Sequence, residues 1–133
     1  MTALIVVAIV AGVAVALQGQ CMAVMDRTAG TAASVFITYG VGALLALALW
    51  LTHRPAPGAL RRIPWYAWTA GVLGLVIVGG IGYAAPRLGL ARTLVITVAA
   101  QLAAALIIEQ RFDLSRLAGC ALTVAGVWLV VRS

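Results

Sequence analysis

The 133-residue sequence has little charge. Asp, Glu, Lys and Arg together supply 9% of it, against about 25% in a typical soluble domain. Lysine is absent: all nine basic residues are arginine, and only Asp26, Glu109 and Asp113 are acidic. A water-soluble fold could not cover its surface with so few polar groups. This excludes a soluble enzyme, a nucleic-acid binder and a disordered tail. Cysteine is scarce, and Cys21 and Cys120 both sit in apolar runs with no His or acid at metal-ligand spacing. They read as small apolar fillers. No basic residue precedes the first apolar run, which Met1-Thr2-Ala3 opens directly, so a cleaved signal peptide is not expected.

What remains is apolar. Hydrophobic residues make up 65% of the chain, and there are fourteen glycines besides. They fall in continuous blocks rather than the alternating ten-residue segments of an outer-membrane barrel. Each block approaches the roughly 20 residues that a helical span requires. The expected fold is an all-α integral membrane protein, one domain over 1–133 with spans near 3–25, 31–51, 65–84, 90–109 and 114–131. Asp26 and Arg27 are expected to close the first block, with Thr28-Ala29-Gly30 turning the chain. A longer loop from Thr52 to Pro64 carries Arg54, Arg61 and Arg62, and Pro64 stands where a helix can begin. Trp65 and Trp68 suit the interfacial aromatic belt. Ala85-Pro86-Arg87-Leu88-Gly89 reads as a short turn, Glu109-Gln110-Arg111-Phe112 as a connection, and Asp113 as the N-cap of the last helix. That last span is short. Fifteen uncharged residues separate Arg116 from Arg132, about 22 Å of helix, so Arg116 must snorkel outward. A four-span chain with an interfacial tail is the alternative.

With five spans, the loops on one side of the membrane hold Arg54, Arg61, Arg62, Arg111 and Arg116, and the other side holds Arg27, Arg87, Arg92 and Arg132. Orientation follows arginine bias, and this bias is nearly nil, so insertion both ways up is expected. A single orientation set by the three arginines of the Thr52–Pro64 loop is the alternative.

No Asp, Glu, Lys, Arg or His lies deep in a span. Acid–base and metal chemistry need such groups converging on one site, so neither an enzyme nor a bound metal or cofactor is expected. The polar residues that do lie within spans are amides, hydroxyls and phenols. Thr93, Thr97 and Gln101 follow one another at i, i+4 and i+8, one face of a helix, with Gln101 near mid-span. Its amide needs partners there. This face is either a substrate pathway or a set of interhelical hydrogen bonds. Gln18 and Gln20 lie about 200° apart on the first helix; Gln20 is the closer to a small-residue stripe of Gly12, Ala16, Gly19 and Ala23. Thr31, Ser34, Thr38 and Gly42 in the second span, and Gly71, Gly74, Gly79, Gly80 and Gly82 in the third, mark close helix packing. Tyr39 and Tyr83 are candidates for a cavity lining, with core filling the competing role.

Together, Pro64-Trp65-Tyr66-Ala67-Trp68 with Gly71 and Gly74, Ala85-Pro86-Arg87-Leu88-Gly89, and Gln101-Leu102 resemble the small five-helix YdcZ-like family. That family is also called domain of unknown function 606, and it lies within the drug/metabolite transporter superfamily. The run Gly119-Cys120-Ala121-Leu122-Thr123-Val124-Ala125-Gly126-Val127 is similar to the dimerising last helix of small multidrug resistance proteins. The resemblance implies a bacterial inner-membrane exporter of small molecules. It also implies an antiparallel pair of five-helix units, because larger relatives contain two inverted halves. The partners implied are a small-molecule substrate, the bilayer, and a second copy or a homologous subunit, with no nucleic acid. The expected pathway residues are Gln101, Thr97, Gln18, Gln20, Tyr39 and Tyr83. The expected dimer seam is Gly119, Thr123 and Gly126: the two glycines fall two turns apart with Thr123 between them. Two departures stand out. The multidrug relatives carry a first-helix glutamate for proton coupling where this chain offers Gln18 and Gln20. Members also tend to carry an Asn four residues beyond the glutamine matching Gln18, where this chain has Met22. A structural or accessory subunit without a substrate is the competing function.

Overall fold

The structure, a computed structural model, describes residues 1–54, 56, 58–110 and 113–132. Five α-helices account for most of them: α1 (Thr2–Ala29), α2 (Thr31–Thr52), α3 (Ala70–Leu88), α4 (Leu90–Glu109) and α5 (Leu114–Arg132). Two 3₁₀ turns, Ala59–Arg62 and Trp65–Thr69, fill most of the way from α2 to α3. With the second turn counted into the third segment, five helical segments are long and apolar enough to cross a membrane. The last is among them, in line with five spans rather than four.

Helix ends fall where backbone geometry, not charge, demands a break. Asp26 and Arg27 do not close α1, which continues to Ala29 and stops at Gly30, where φ is 84°. A positive φ is strained for any residue with a Cβ, so glycine sets the stop. Arg27 in the last turn complements the helix dipole and favours the extra turn. Ala85–Leu88 is likewise not a turn. The helix runs through Pro86 to Leu88 and breaks at Gly89, φ 90°. Pro86 offers no N–H to the Gly82 carbonyl, so it weakens this last turn without ending the helix. Arg111 and Phe112, half of the expected α4–α5 connection, lie outside the described residues.

The chain divides into two compact units. One comprises Cys21–Tyr83, and the other comprises Met1–Gln20 with Ala84–Ser133.

In the Cys21–Tyr83 unit, α2 and α3 meet through glycine. A Cβ on Gly82 would lie 2.7 Å from Met22 Cε and 3.8 Å from Ser34 Oγ. One on Gly79 would touch Val35 Cγ2 at 3.9 Å, and one on Gly74 would sit 2.9 Å from Tyr39 Oη. The pairs run 34 with 82, 35 with 79 and 39 with 74, so the two helices pack antiparallel. Three of the five glycines of the third span therefore serve packing, while Gly71 and Gly80 face open space. Close approach is what small residues supply where lipid removes the hydrophobic drive between helices. Ser34 and Met22 are fully buried, and the Ser34 hydroxyl donates to the Met22 carbonyl at 3.3 Å. The Thr31 hydroxyl donates to the Asp26 carboxylate across the Gly30 turn.

In the other unit, α4 and α5 are neighbours. Their charged ends are tied together. Arg116 Nη1 donates to Glu109 Oε2 at 3.0 Å, and Arg116 Nε lies 3.6 Å from Asp113 Oδ2. Both partners are at the α4–α5 connection, so Arg116 is drawn out of the span, as its position requires. At the far end of α5 the Arg132 guanidinium stacks 4.2 Å over the Trp128 ring, a contact suited to the membrane interface.

Candidate functional site

Four threonine hydroxyls within the spans look after themselves. Thr38 donates to the Ser34 carbonyl, Thr93 to Gly89, Thr97 to Thr93 and Thr123 to Gly119, all at 2.8–3.0 Å and all one turn back along the same helix. A threonine can be satisfied this way without a neighbour. These donors are therefore already committed inside their own helices.

Glutamine cannot fold back as readily, and the three intramembrane glutamines behave differently. Gln18, Gln20 and Gln101 are exposed, and their side-chain amides meet no hydrogen-bond partner among the described residues. Gln101 is the twelfth of the twenty residues of α4, the depth most remote from water. Along its stripe, Thr93 is buried, Thr97 half-buried and Gln101 open. The face thus emerges from packing toward mid-span. An amide with two donors and an acceptor left in hydrocarbon costs several kcal/mol, as a rough figure.

On α1, the small-residue stripe near Gln20 is the packed face. Gly19 and Ala23 are buried and Ala16 half-buried, while Gly12 is exposed. Met22 is buried against Gly82 and Ser34. That position is therefore a packing position in this chain.

The six candidate pathway residues divide between the units. Gln18, Gln20, Thr97 and Gln101 belong to one, Tyr39 and Tyr83 to the other. Tyr39 lines a groove of ≈ 600 Å³ between α2 and α3 with Val35, Phe36, Leu75 and Gly79. Its phenol lies over Gly74, so it doubles as packing. Tyr83 is exposed. Of the candidate seam, Gly119 and Thr123 are brought together by the hydrogen bond on α5, and both line a groove against α4. A Cβ on Gly119 or Gly126 would meet nothing within 4 Å. Ser34 takes the packing role expected of it, whereas the Arg116 cluster is not among the expected site residues. Ser34 sits on the expected small-residue face of α2, and Arg116 was visible only as a charge that shortens the last span.

Apolar helices of spanning length, with amides rather than charges at depth, define a multi-pass helical membrane protein. The family described as "Putative inner membrane exporter, YdcZ" matches residues 3–129, and the chain belongs to that family. It is accordingly a multi-pass inner-membrane protein, and the family's description is that of an exporter rather than an enzyme. No curated protein and no solved structure matches the chain.

Proposed function

We propose that the chain is one half of an antiparallel homodimeric exporter of small molecules. In this reading, substrate is handled near the membrane midplane and the two halves rock to alternate access. The observation that carries the reading is Gln101: exposed, mid-span and without a hydrogen-bond partner among the described residues. A water-lined pathway or a second subunit would satisfy its amide; lipid would not. The open glycines of α5 supply a surface for the second copy, through Gly119, Thr123 and Gly126. The near balance of arginines allows that copy to insert inverted.

The test compares the wild type with Gln101→Leu, which removes the amide and keeps the volume. Purified protein is screened against small molecules for ligand-induced rises in melting temperature. Saturating a site about a hundredfold above its Kd adds about 2.7 kcal/mol. Compounds that stabilise the wild type should leave Gln101→Leu unmoved while its melting temperature and mass without ligand are unchanged. Equal stabilisation of both proteins would remove Gln101 from the pathway. If no compound stabilises either protein, the accessory-subunit reading gains. Orientation is tested with reporters fused after residue 133, one active only in the cytoplasm and one only outside it. Comparable signals are expected, and a signal from one side alone would argue for a different, oppositely inserted partner.

A further inference from the structure

The α4–α5 pair encloses a groove of ≈ 410 Å³, partly open to its surroundings. Leu102, Ala105 and Leu106 form one wall, and Gly119 and Thr123 belong to the other. Its mouth is charged, with Glu109 and Arg116 among the lining residues and Asp113 beside Arg116. From Glu109 to Leu102, or from Arg116 to Thr123, is seven residues, about 10 Å of helix. The hydrocarbon core is about 30 Å thick. The groove thus starts at headgroup depth and stays within one leaflet.

We propose that this groove binds a phospholipid with a zwitterionic ethanolamine headgroup, its acyl chain between α4 and α5. The occupant follows from the charges. Arg116 offers a guanidinium, the side chain best matched to a phosphate. Glu109 and Asp113 flank it with carboxylates that are 57% and 70% exposed. Two carboxylates and one guanidinium fit a headgroup that carries a phosphate and, a few bonds away, a primary ammonium with three donors. A glycerol headgroup brings the phosphate without the cation, and a choline headgroup brings a cation with no N–H to donate. An exposed ion pair adds little to folding, so the cluster is not accounted for by stability. Gly119 and Thr123 also belong to the seam proposed above, so lipid in the groove and a second copy at these two residues would exclude one another; Gly126 lies outside the groove lining, and the inference does not rest on the transport or dimer reading.

Delipidated protein in mild detergent is titrated with diacyl phosphatidylethanolamine, phosphatidylcholine and phosphatidylglycerol, and bound lipid is counted per chain by native mass spectrometry. Free phosphoethanolamine is added as a competitor. The ethanolamine lipid should bind about tenfold or more tighter than the glycerol lipid, the worth of one charge-assisted hydrogen bond. Arg116→Gln should weaken its binding by a similar factor. Ala105→Phe, which fills the groove and leaves the charges in place, should also weaken it. Free phosphoethanolamine should not compete, because it lacks the chain. Equal binding of the ethanolamine and glycerol lipids would overturn the proposal, as would unchanged binding to folded Ala105→Phe. Full competition by free phosphoethanolamine would assign the site to a soluble phospho-amine instead. Should Arg116→Gln fail to fold, the headgroup comparison on the wild type and the Ala105→Phe variant decide the matter.

Discussion

The α2–α3 pair and the α4–α5 pair both carry glycine, to opposite ends. On α3, added methyls at Gly74 and Gly82 would come within 3 Å of Tyr39 and Met22; these glycines are already used up by contact. On α5, added methyls at Gly119 and Gly126 would meet nothing. In a bilayer, packing is gained by close fit rather than by escape from water. The first pair therefore has the character of a finished contact and the second of an open surface. The open glycines lie in the same unit as the unpartnered amides of Gln18, Gln20 and Gln101. One region supports the fold, and the other leaves polar and small-residue surface open.

The contrast breaks most visibly if the two glycine sets respond alike to a large side chain. Gly82→Leu drives a side chain into the buried Met22–Ser34 contact and should cost about 3 kcal/mol or more. Loss of the folded protein, or a steep drop in melting temperature in detergent, is the expected result; a normal melt would show that the contact is slack. Gly126→Leu should do something different. With open space at its Cβ, the chain should keep its own stability within about 0.5 kcal/mol, while light scattering should record a folded monomer in place of the proposed dimer. A dimer of unchanged stability would move the seam away from α5. The smallest change is Ser34→Ala, which removes the hydroxyl donated to Met22. Interhelical hydrogen bonds of this kind average about 0.6 kcal/mol in membrane proteins, and a melt shifted by no more than that is expected. A much larger loss would mean that the hydrogen bond, rather than the glycine contact, holds α2 against the end of α1.

Some of this was legible in the residues. Five continuous apolar blocks of spanning length announce five helices, because the other structure that satisfies its backbone in hydrocarbon, a closed barrel, needs short alternating strands. The stripe of Thr93, Thr97 and Gln101 follows from helical period alone. The break points were harder. Asp26–Arg27 and Pro86 look like stops, but both are tolerated in a final turn, and a positive φ at Gly30 and Gly89 decides the matter. Nothing in the spacing distinguishes Gly74, Gly79 and Gly82 from Gly71 and Gly80; which of them touch α2 depends on how the helices cross. Met22 is one apolar residue among many until its neighbours across the packing are known. The Arg116 cluster needs the α4–α5 connection folded before Glu109 and Asp113 can reach it.

The central claim is that the open face of α4 meets water rather than lipid, and thiol labelling of membrane vesicles tests it most directly. In a background lacking Cys21 and Cys120, cysteine is placed at residue 101, or at residue 103, about 200° away around the same helix. A water-soluble maleimide is added, with and without any compound found to stabilise the protein. The account predicts that the cysteine at 101 is labelled, that the one at 103 is not, and that a stabilising compound protects 101. Equal failure of both positions to react would place Gln101 in a dry contact and contradict a pathway along α4.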